Sequence, residues 1–292
     1  MVNNSPLFFW MKNIDTLVED MYKTITDGTQ PSEKDMELFA ERVKEGVLQL
    51  FNTRSENNNL RMSQIGKPDR QVWYQSRDIT KEKLPAWAKI KFTYGHILEE
   101  LLLLLAKTAG HQVKNEQKQL EIEGILGHQD CEIDGVVVDC KSASAYSFKK
   151  FSNRSLLKDD PFGYIAQLSA YADAQNKKGG AFLAIDKQSG RICLMSVHDM
   201  EMINAKDRVL HLKNVVASDT VPSKCYDDIA DGVSGNRKLD VGCSYCAYKV
   251  NCWKDANDGK GLRKFIYANG PRYLTQVAKK PDVIEVELND IG

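Results

Sequence analysis

This sequence has no apolar run long enough to cross a membrane. Its most apolar stretch, 98–106, is interrupted by Glu99 and Glu100 and falls well short of the ~20 residues that a bilayer-spanning helix needs. The short apolar run Leu7-Phe8-Phe9-Trp10 has no basic region ahead of it, so no secretory leader is expected. Neither sign of charge is in excess: 40 Lys and Arg balance 40 Asp and Glu, so any affinity for nucleic acid must come from local clusters. Cysteine is sparse, with seven in 292 residues, and an odd number that few does not make a disulfide-stapled scaffold. Repeats and low-complexity tracts are missing too. The expected setting is a reducing cytoplasm, where clustered cysteines point to metal or catalysis more often than to disulfides.

What is present is an ordinary globular composition, 42% hydrophobic and 27% charged, on a chain long enough for one large domain with appendages. Residues 1–59 read as an N-terminal helical region. Pro31-Ser32-Glu33 opens a helix whose Met36, Phe39, Ala40, Val43, Val47 and Leu50 recur at three- and four-residue steps. Residues 60–218 read as an α/β core. A long, leucine-rich helix runs from Pro85 to about Ala109, where Gly110 supplies a left-handed stop. A strand over 113–122 and a hairpin follow, then a helix opened by Asp160-Pro161, two strands over 181–185 and 191–197, and a helix over 199–215. Alternation of this kind builds helices around one sheet. Residues 219–292 turn to cysteines, aromatics and turn residues, as in a small metal-stapled lobe and tail.

The hairpin organises the rest. Gly127-His128-Gln129-Asp130-Cys131-Glu132-Ile133 and Val136-Val137-Val138-Asp139-Cys140-Lys141 flank Asp134-Gly135, a two-residue turn signal. With that turn at the centre, Ile133 faces Val136, Asp130 faces Asp139 and His128 faces Lys141. One face then carries His128, Asp130, Glu132, Val137, Asp139 and Lys141; the other is mostly apolar and suits a core. Like charges directly opposite repel, so two facing aspartates make sense around a cation. Glu99, on the leucine-rich helix one turn after Gly95, is a further acid in surroundings where a carboxylate is costly unless paired or metal-bound. A plain solvated face for Glu99 and Glu100 fits the periodicity equally well.

The ordered set Gly95-x-x-x-Glu99, Gly127-His128-x-Asp130, Asp139-x-Lys141 and Gln167-x-x-x-Tyr171 resembles the PD-(D/E)XK nuclease superfamily. Within it, the chain is similar to RecB-type nuclease domains and to the CRISPR-adaptation and phage recombination exonucleases, over roughly residues 60–255. The resemblance implies a restriction-endonuclease-like core, a mixed sheet flanked by helices. It implies Glu99, Asp130, Asp139 and the Cys140 carbonyl as ligands of Mg²⁺ or Mn²⁺, in keeping with their hard oxygen donors. Lys141 would orient the attacking water and stabilise charge on the phosphate. Gln167 would steady Lys141 or the scissile region, and Tyr171 would contact DNA. Lys149, Lys150 and Arg154, interleaved with Tyr146, Phe148 and Phe151 in an acid-free stretch, suggest a single-strand track. His128 is a candidate for phosphate or metal, and a structural histidine is as good a reading; His96 is a weaker candidate. Arg70 and Tyr74 match an Arg-x-x-x-Tyr motif that the family carries before its nuclease helix, and the resemblance implies that they, too, contact DNA.

Cys243-x-x-Cys246-x5-Cys252 has metal-ligand spacing. In the resembling exonucleases such a trio joins a distant N-terminal cysteine around a [4Fe–4S] cluster, yet the segment before Tyr74 here contains no cysteine. Cys225 or a histidine such as His211 remains as the fourth ligand, with Zn²⁺ as the competing metal and a metal-free remnant as the third option. The expectation is a metal-dependent DNA exonuclease of recombination, repair or phage genome processing, acting on DNA with a single-stranded end, with a recombination protein as a candidate partner. The rivals are a structure-specific endonuclease of the same fold and a non-catalytic nucleic-acid-binding module.

Overall fold

The computed structural model describes residues 12–52, 59–77, 79, 82 and 85–288. The leader expectation at residues 1–11 and the break at Asn57-Asn58 lie outside them. No helix among the described residues is long and apolar enough to cross a membrane.

Helix α1 (Leu17–Thr26) precedes α2 (Glu33–Gln49), whose Ser32 side chain accepts the Asp35 N–H as an N-cap. After α3 (Asp69–Gln75) comes α4 (Ala86–Thr108), opened by Pro85 and closed before Gly110 at φ 83°. The strand expected over 113–122 is broken into β1 (Val113–Lys114) and β2 (Gln119–Ile122). Asn115 and Gln117, both at φ 53°, turn the chain between them. Strands β3 (Ile125–His128), β4 (Cys131–Ile133) and β5 (Val136–Ala143) follow. The basic stretch after them is a helix, α5 (Ala145–Ser152), capped by Ser144. Helix α6 (Tyr164–Asp173) starts later than Pro161, because Gly163 at φ 74° holds the chain out of helix and the Asp160 carboxylate takes the Ile165 N–H. Then come β6 (Gly179–Asp186), β7 (Ile192–His198) and α7 (Ala205–Ala217).

These elements form a five-stranded mixed sheet in the order β1-β4-β5-β6-β7, parallel only between β5 and β6. Helices cover both faces. Leu102, Leu103 and Ala106 of α4, with Leu17 and Met21 of α1, pack on Cys131, Ile133, Val138, Cys140 and Leu183. Ile165 and Leu168 of α6, with Phe151 of α5 and Val209 of α7, pack on Val137, Phe182 and Ala184. The face carrying Asp139 and Lys141 is therefore also a core face, covered by α6.

Beyond Ser218 the chain builds a second sheet that its sequence does not advertise. Strands β8 (Ile229–Ala230) and β9 (Arg237–Lys238) precede two short helices, α8 (Val241–Ser244) and α9 (Lys249–Cys252), and a turn over Ala256–Gly259 in which Asn257 and Asp258 are left-handed. Strands β10 (Arg263–Tyr267), β11 (Gly270–Gln276) and β12 (Ile284–Val286) complete an antiparallel sheet ordered β12-β10-β11-β9-β8. Leu239, Cys243, Trp253, Leu262 and Tyr273 form its core.

Candidate active site

The hairpin has the register that its turn implies: Ile133 pairs with Val136, Glu132 with Val137 and Cys131 with Val138. Asp134 (φ 50°) and Gly135 (φ 84°) form the turn, the left-handed pair that a two-residue hairpin requires. Asp134 also accepts bonds from the buried His111 ring (2.6 Å) and the Gln112 N–H (2.9 Å), which fixes the tip. Pairing stops at Cys131, so β5 continues past β4 with one edge open. The Asp130 carboxylate fills the first vacant position, accepting the Cys140 N–H at 2.7 Å. A strand residue projects its N–H and C=O to the same edge, so the Cys140 carbonyl faces this gap as well. Two expectations fail here. Asp130 lies beyond the last ladder pair and is not opposite Asp139; it reaches the β5 edge through its side chain. His128, on β3, pairs with Gln119 of β2 and is exposed, not opposite Lys141.

Four ionisable groups meet at the gap. Asp139, 1% exposed, receives Gln167 Nε2 on Oδ1 at 3.2 Å. Its Oδ2 is in ion-pair contact with the Lys141 ammonium, but no hydrogen bond of regular geometry reaches it. The Tyr164 ring lies 4.8 Å from Lys141 Nζ. Glu99 reaches over from α4, where the Gln117 carboxamide donates to its Oε1 at 2.8 Å. Its neighbour Glu100 turns the other way, 3% exposed and ion-paired with Arg42 of α2 at 3.3 Å.

Burial, the charge on Glu100 and the charge on Asp139 push Glu99 up to about 7, with Lys141 and Arg42 opposing. Asp130 is raised well above the carboxylate range by burial and by Asp139 and Glu99, and Asp139 by burial against the pull of Lys141. Burial alone would lower Lys141, yet Asp139 and Asp130 outweigh it and keep its ammonium above the usual lysine value. Three crowded carboxylates and one cation need further positive charge before all three can ionise. A hard divalent cation suits these oxygens. Among the described residues, no three His, Cys, Asp or Glu side chains are already drawn together closely enough to enclose a metal ion.

The flanking residues divide. Gln167 binds Asp139 rather than Lys141, and Tyr171 OH lies 3.5 Å from Gln167 Nε2. Tyr171 is only 2% exposed, so it backs the centre from inside α6 instead of facing solvent where the resemblance would have it contact DNA. Lys149 is exposed, and Tyr146 is 72% exposed with Lys150 Nζ 5.5 Å from its ring. Lys150 also pairs with Asp159. Arg154 leaves the track: it forks onto both Glu201 oxygens and the Ser196 carbonyl. Arg70 and Tyr74, the other residues expected to contact DNA, pack inward: Tyr74 is buried and stacked on Tyr248, and Arg70 bonds the Pro222 carbonyl. Gln117 is the residue that the sequence reading missed; a glutamine in a turn carries no signal of its own.

Arg70 and Tyr74 line a small cavity together with Cys225, Cys243, Cys246 and Cys252. Burial raises all four thiols, Cys243 up to about 12, while Arg70 opposes the shift at Cys252. Arg70 Nε and Trp253 Nε1 are buried donors without a regular partner, standing against Cys252 and Cys243. Donors aimed at sulfur fit a thiolate-held metal. His211 is occupied elsewhere, 2.6 Å from Asp69.

No family model matches this sequence, and no curated protein matches it. Among solved structures, SSO0001 is similar at 16% identity, TM-score 0.42, over 74% of this chain and 96% of its own. An alkaline exonuclease (LHK-Exo) from Laribacter hongkongensis is similar at 13% identity, TM-score 0.37, over 62% and 89%. Its complex with dAMP gives 12%, 0.34, 55% and 90%. At such values the chemistry rests on the residues described above and not on the likeness.

Proposed function

We propose that this protein is a divalent-metal-dependent deoxyribonuclease that hydrolyses phosphodiester bonds from a DNA end. The observation that carries the reading is the convergence of Asp130, Asp139, Glu99 and Lys141 on one open strand edge, with Asp139 Oδ2 lacking a regular hydrogen bond. Asp130, Asp139 and Glu99 would hold Mg²⁺ or Mn²⁺, with the Cys140 carbonyl facing the same gap. Bound there, the ion would supply Lewis acidity toward the phosphate and activate water. Lys141, held as an ammonium, is suited to stabilise charge growing on a non-bridging oxygen and to orient the incoming water. In the metal-free site its charge makes it a poor proton acceptor. Gln167 orients Asp139, and Tyr171 backs Gln167. The exposed Tyr146 and Lys149 of α5, which starts two residues after the end of β5, offer a ring and a cation to the strand beyond the scissile bond.

Separately, Cys225, Cys243, Cys246 and Cys252 would hold a [4Fe–4S] cluster or Zn²⁺ that ties 219–292 to α3, with Cys225 in place of the N-terminal cysteine that the motif lacks here.

Digestion of end-labelled linear DNA in Mg²⁺ tests the reading. Asp130→Ala and Lys141→Ala are expected to lower the rate by at least about 100-fold while circular dichroism stays unchanged. Cleavage of a covalently closed single-stranded circle would favour the endonuclease alternative, and full activity in a folded Asp130→Ala protein would end the proposal.

A further inference from the structure

The turn between β1 and β2 grips the acidic centre. It is anchored from both sides: the Glu116 carboxylate is held by Arg42 of α2 at 2.5 Å and by Lys107 of α4 at 2.8 Å. The Asn115 amide donates to Glu132 at 2.5 Å, and its carbonyl accepts Gln129 Nε2 at 3.0 Å. From that footing Gln117 makes two bonds, and both go to the centre. Its backbone N–H donates to the Asp130 carbonyl at 3.0 Å, and its side-chain Nε2 donates to Glu99 Oε1 at 2.8 Å. One residue thus links two acids carried by different elements.

Its backbone makes the choice of side chain notable. At φ 53° Gln117 sits in the left-handed region, which glycine adopts freely, asparagine tolerates and most other residues avoid. Glycine would make the same turn with less strain, and strain of this kind gathers at functional sites. Gln117 is exposed, so its bond to Glu99 competes with water and adds little to folding. Its effect is on direction. A neutral carboxamide can occupy one carboxylate oxygen without the permanent cation that would rival a metal for it.

We infer that Gln117 is a positioning residue, holding the Glu99 carboxylate on the side of Asp130 and Asp139 so that less rearrangement is needed when a metal draws the three carboxylates together. The inference rests on the nuclease reading above and adds to it a residue outside the motif set.

The test compares Gln117→Gly and Gln117→Asn with the unaltered full-length protein. Glycine keeps the N–H bond to Asp130 and suits the backbone, so the melting temperature should hold or rise. Mn²⁺ affinity without DNA, read from the free-ion electron paramagnetic resonance signal, is expected to fall about tenfold. The kcat on end-labelled DNA should fall with it while KM for DNA is unchanged. Gln117→Asn keeps the amide one methylene short of Glu99 and should behave like glycine. Unchanged Mn²⁺ affinity and kcat in Gln117→Gly would overturn the inference and leave the nuclease reading standing. A lower melting temperature with unchanged Mn²⁺ affinity would reduce Gln117 to a turn residue and overturn it equally. An unaltered protein that neither binds Mn²⁺ nor digests DNA would remove the nuclease reading and this inference together.

Discussion

Glu99 shows how a single residue couples the site to the fold. Its pKa rises from an ordinary 4.5 to about 7 without metal. Below pH 4.5 both folded and unfolded chains hold the proton. Between about 4.5 and 7 the unfolded chain releases a proton that the folded chain keeps, so stability falls as pH rises through that window. Asp130 and Asp139, raised in the same sense, add to the slope. The melting temperature in EDTA should therefore drop across it, and Mn²⁺ should restore it most at the upper end. Glu99→Gln should flatten part of the drop; a melting temperature indifferent to both pH and Mn²⁺ would contradict the account. At this scale much was legible. Side-chain alternation along β5 is enough to put Asp139 and Lys141 on one side, whereas Asp130 joins them from beyond the last ladder pair, its carboxylate taking the Cys140 N–H. Periodicity could not separate Glu99 from Glu100, because the difference lies in Arg42, 58 residues away. His128 was misread because an alternation rule assumes an unbroken strand, and the strand breaks at Gln129-Asp130.

At the scale of elements, the site exists because β4 is three residues long and β5 is eight. The unpaired edge of β5 receives Asp130 from its own hairpin and Glu99 from α4, while α6 brings Gln167 to Asp139. Helix α2 secures α4 through the Arg42–Glu100 pair and through Gly46, where any side chain would run into the His96 ring. Arg42→Ala leaves Glu100 buried without its cation and should cost about 3 kcal/mol, measurable by urea unfolding. The start of α6 is fixed by a backbone contact: a Cβ on Gly66 would stand 2.2 Å from the Gly163 carbonyl oxygen. Gly66→Ala should cost about 1–3 kcal/mol or more and lower activity by shifting Gln167. Neither contact was visible in the sequence, since both join segments distant along the chain. The broken β1–β2 strand was hidden too, because Asn115 and Gln117 take positive φ without a glycine to announce it.

For the whole molecule, four of the cysteines sit where the second sheet's lobe meets α3. Cys225, Cys243, Cys246 and Cys252 surround a cavity floored by α3 residues of the first unit, so a metal there would tie the lobe to the core. Iron and zinc analysis of anaerobically purified protein should give either four iron atoms or one zinc per chain, and Cys225→Ser should lower that content; His211→Ala should not. Metal content unaffected by Cys225→Ser would remove it as a ligand. The lobe's cysteine spacing was legible, but its sheet was not. Strands β8 and β9 have two residues each, too few to show alternation, and the Gly-rich turns around them read as loop.

The central claim is that the acids at the β5 edge hold the metal for phosphodiester hydrolysis. The most direct measurement is digestion of end-labelled linear DNA by the unaltered protein and by Asp139→Asn, each in Mg²⁺, in Mn²⁺ and in EDTA. The account predicts released labelled nucleotides only for the unaltered protein and only with a divalent cation, with Asp139→Asn folded and inert. Digestion in EDTA, digestion by Asp139→Asn at the unaltered rate, or none under any condition would contradict it.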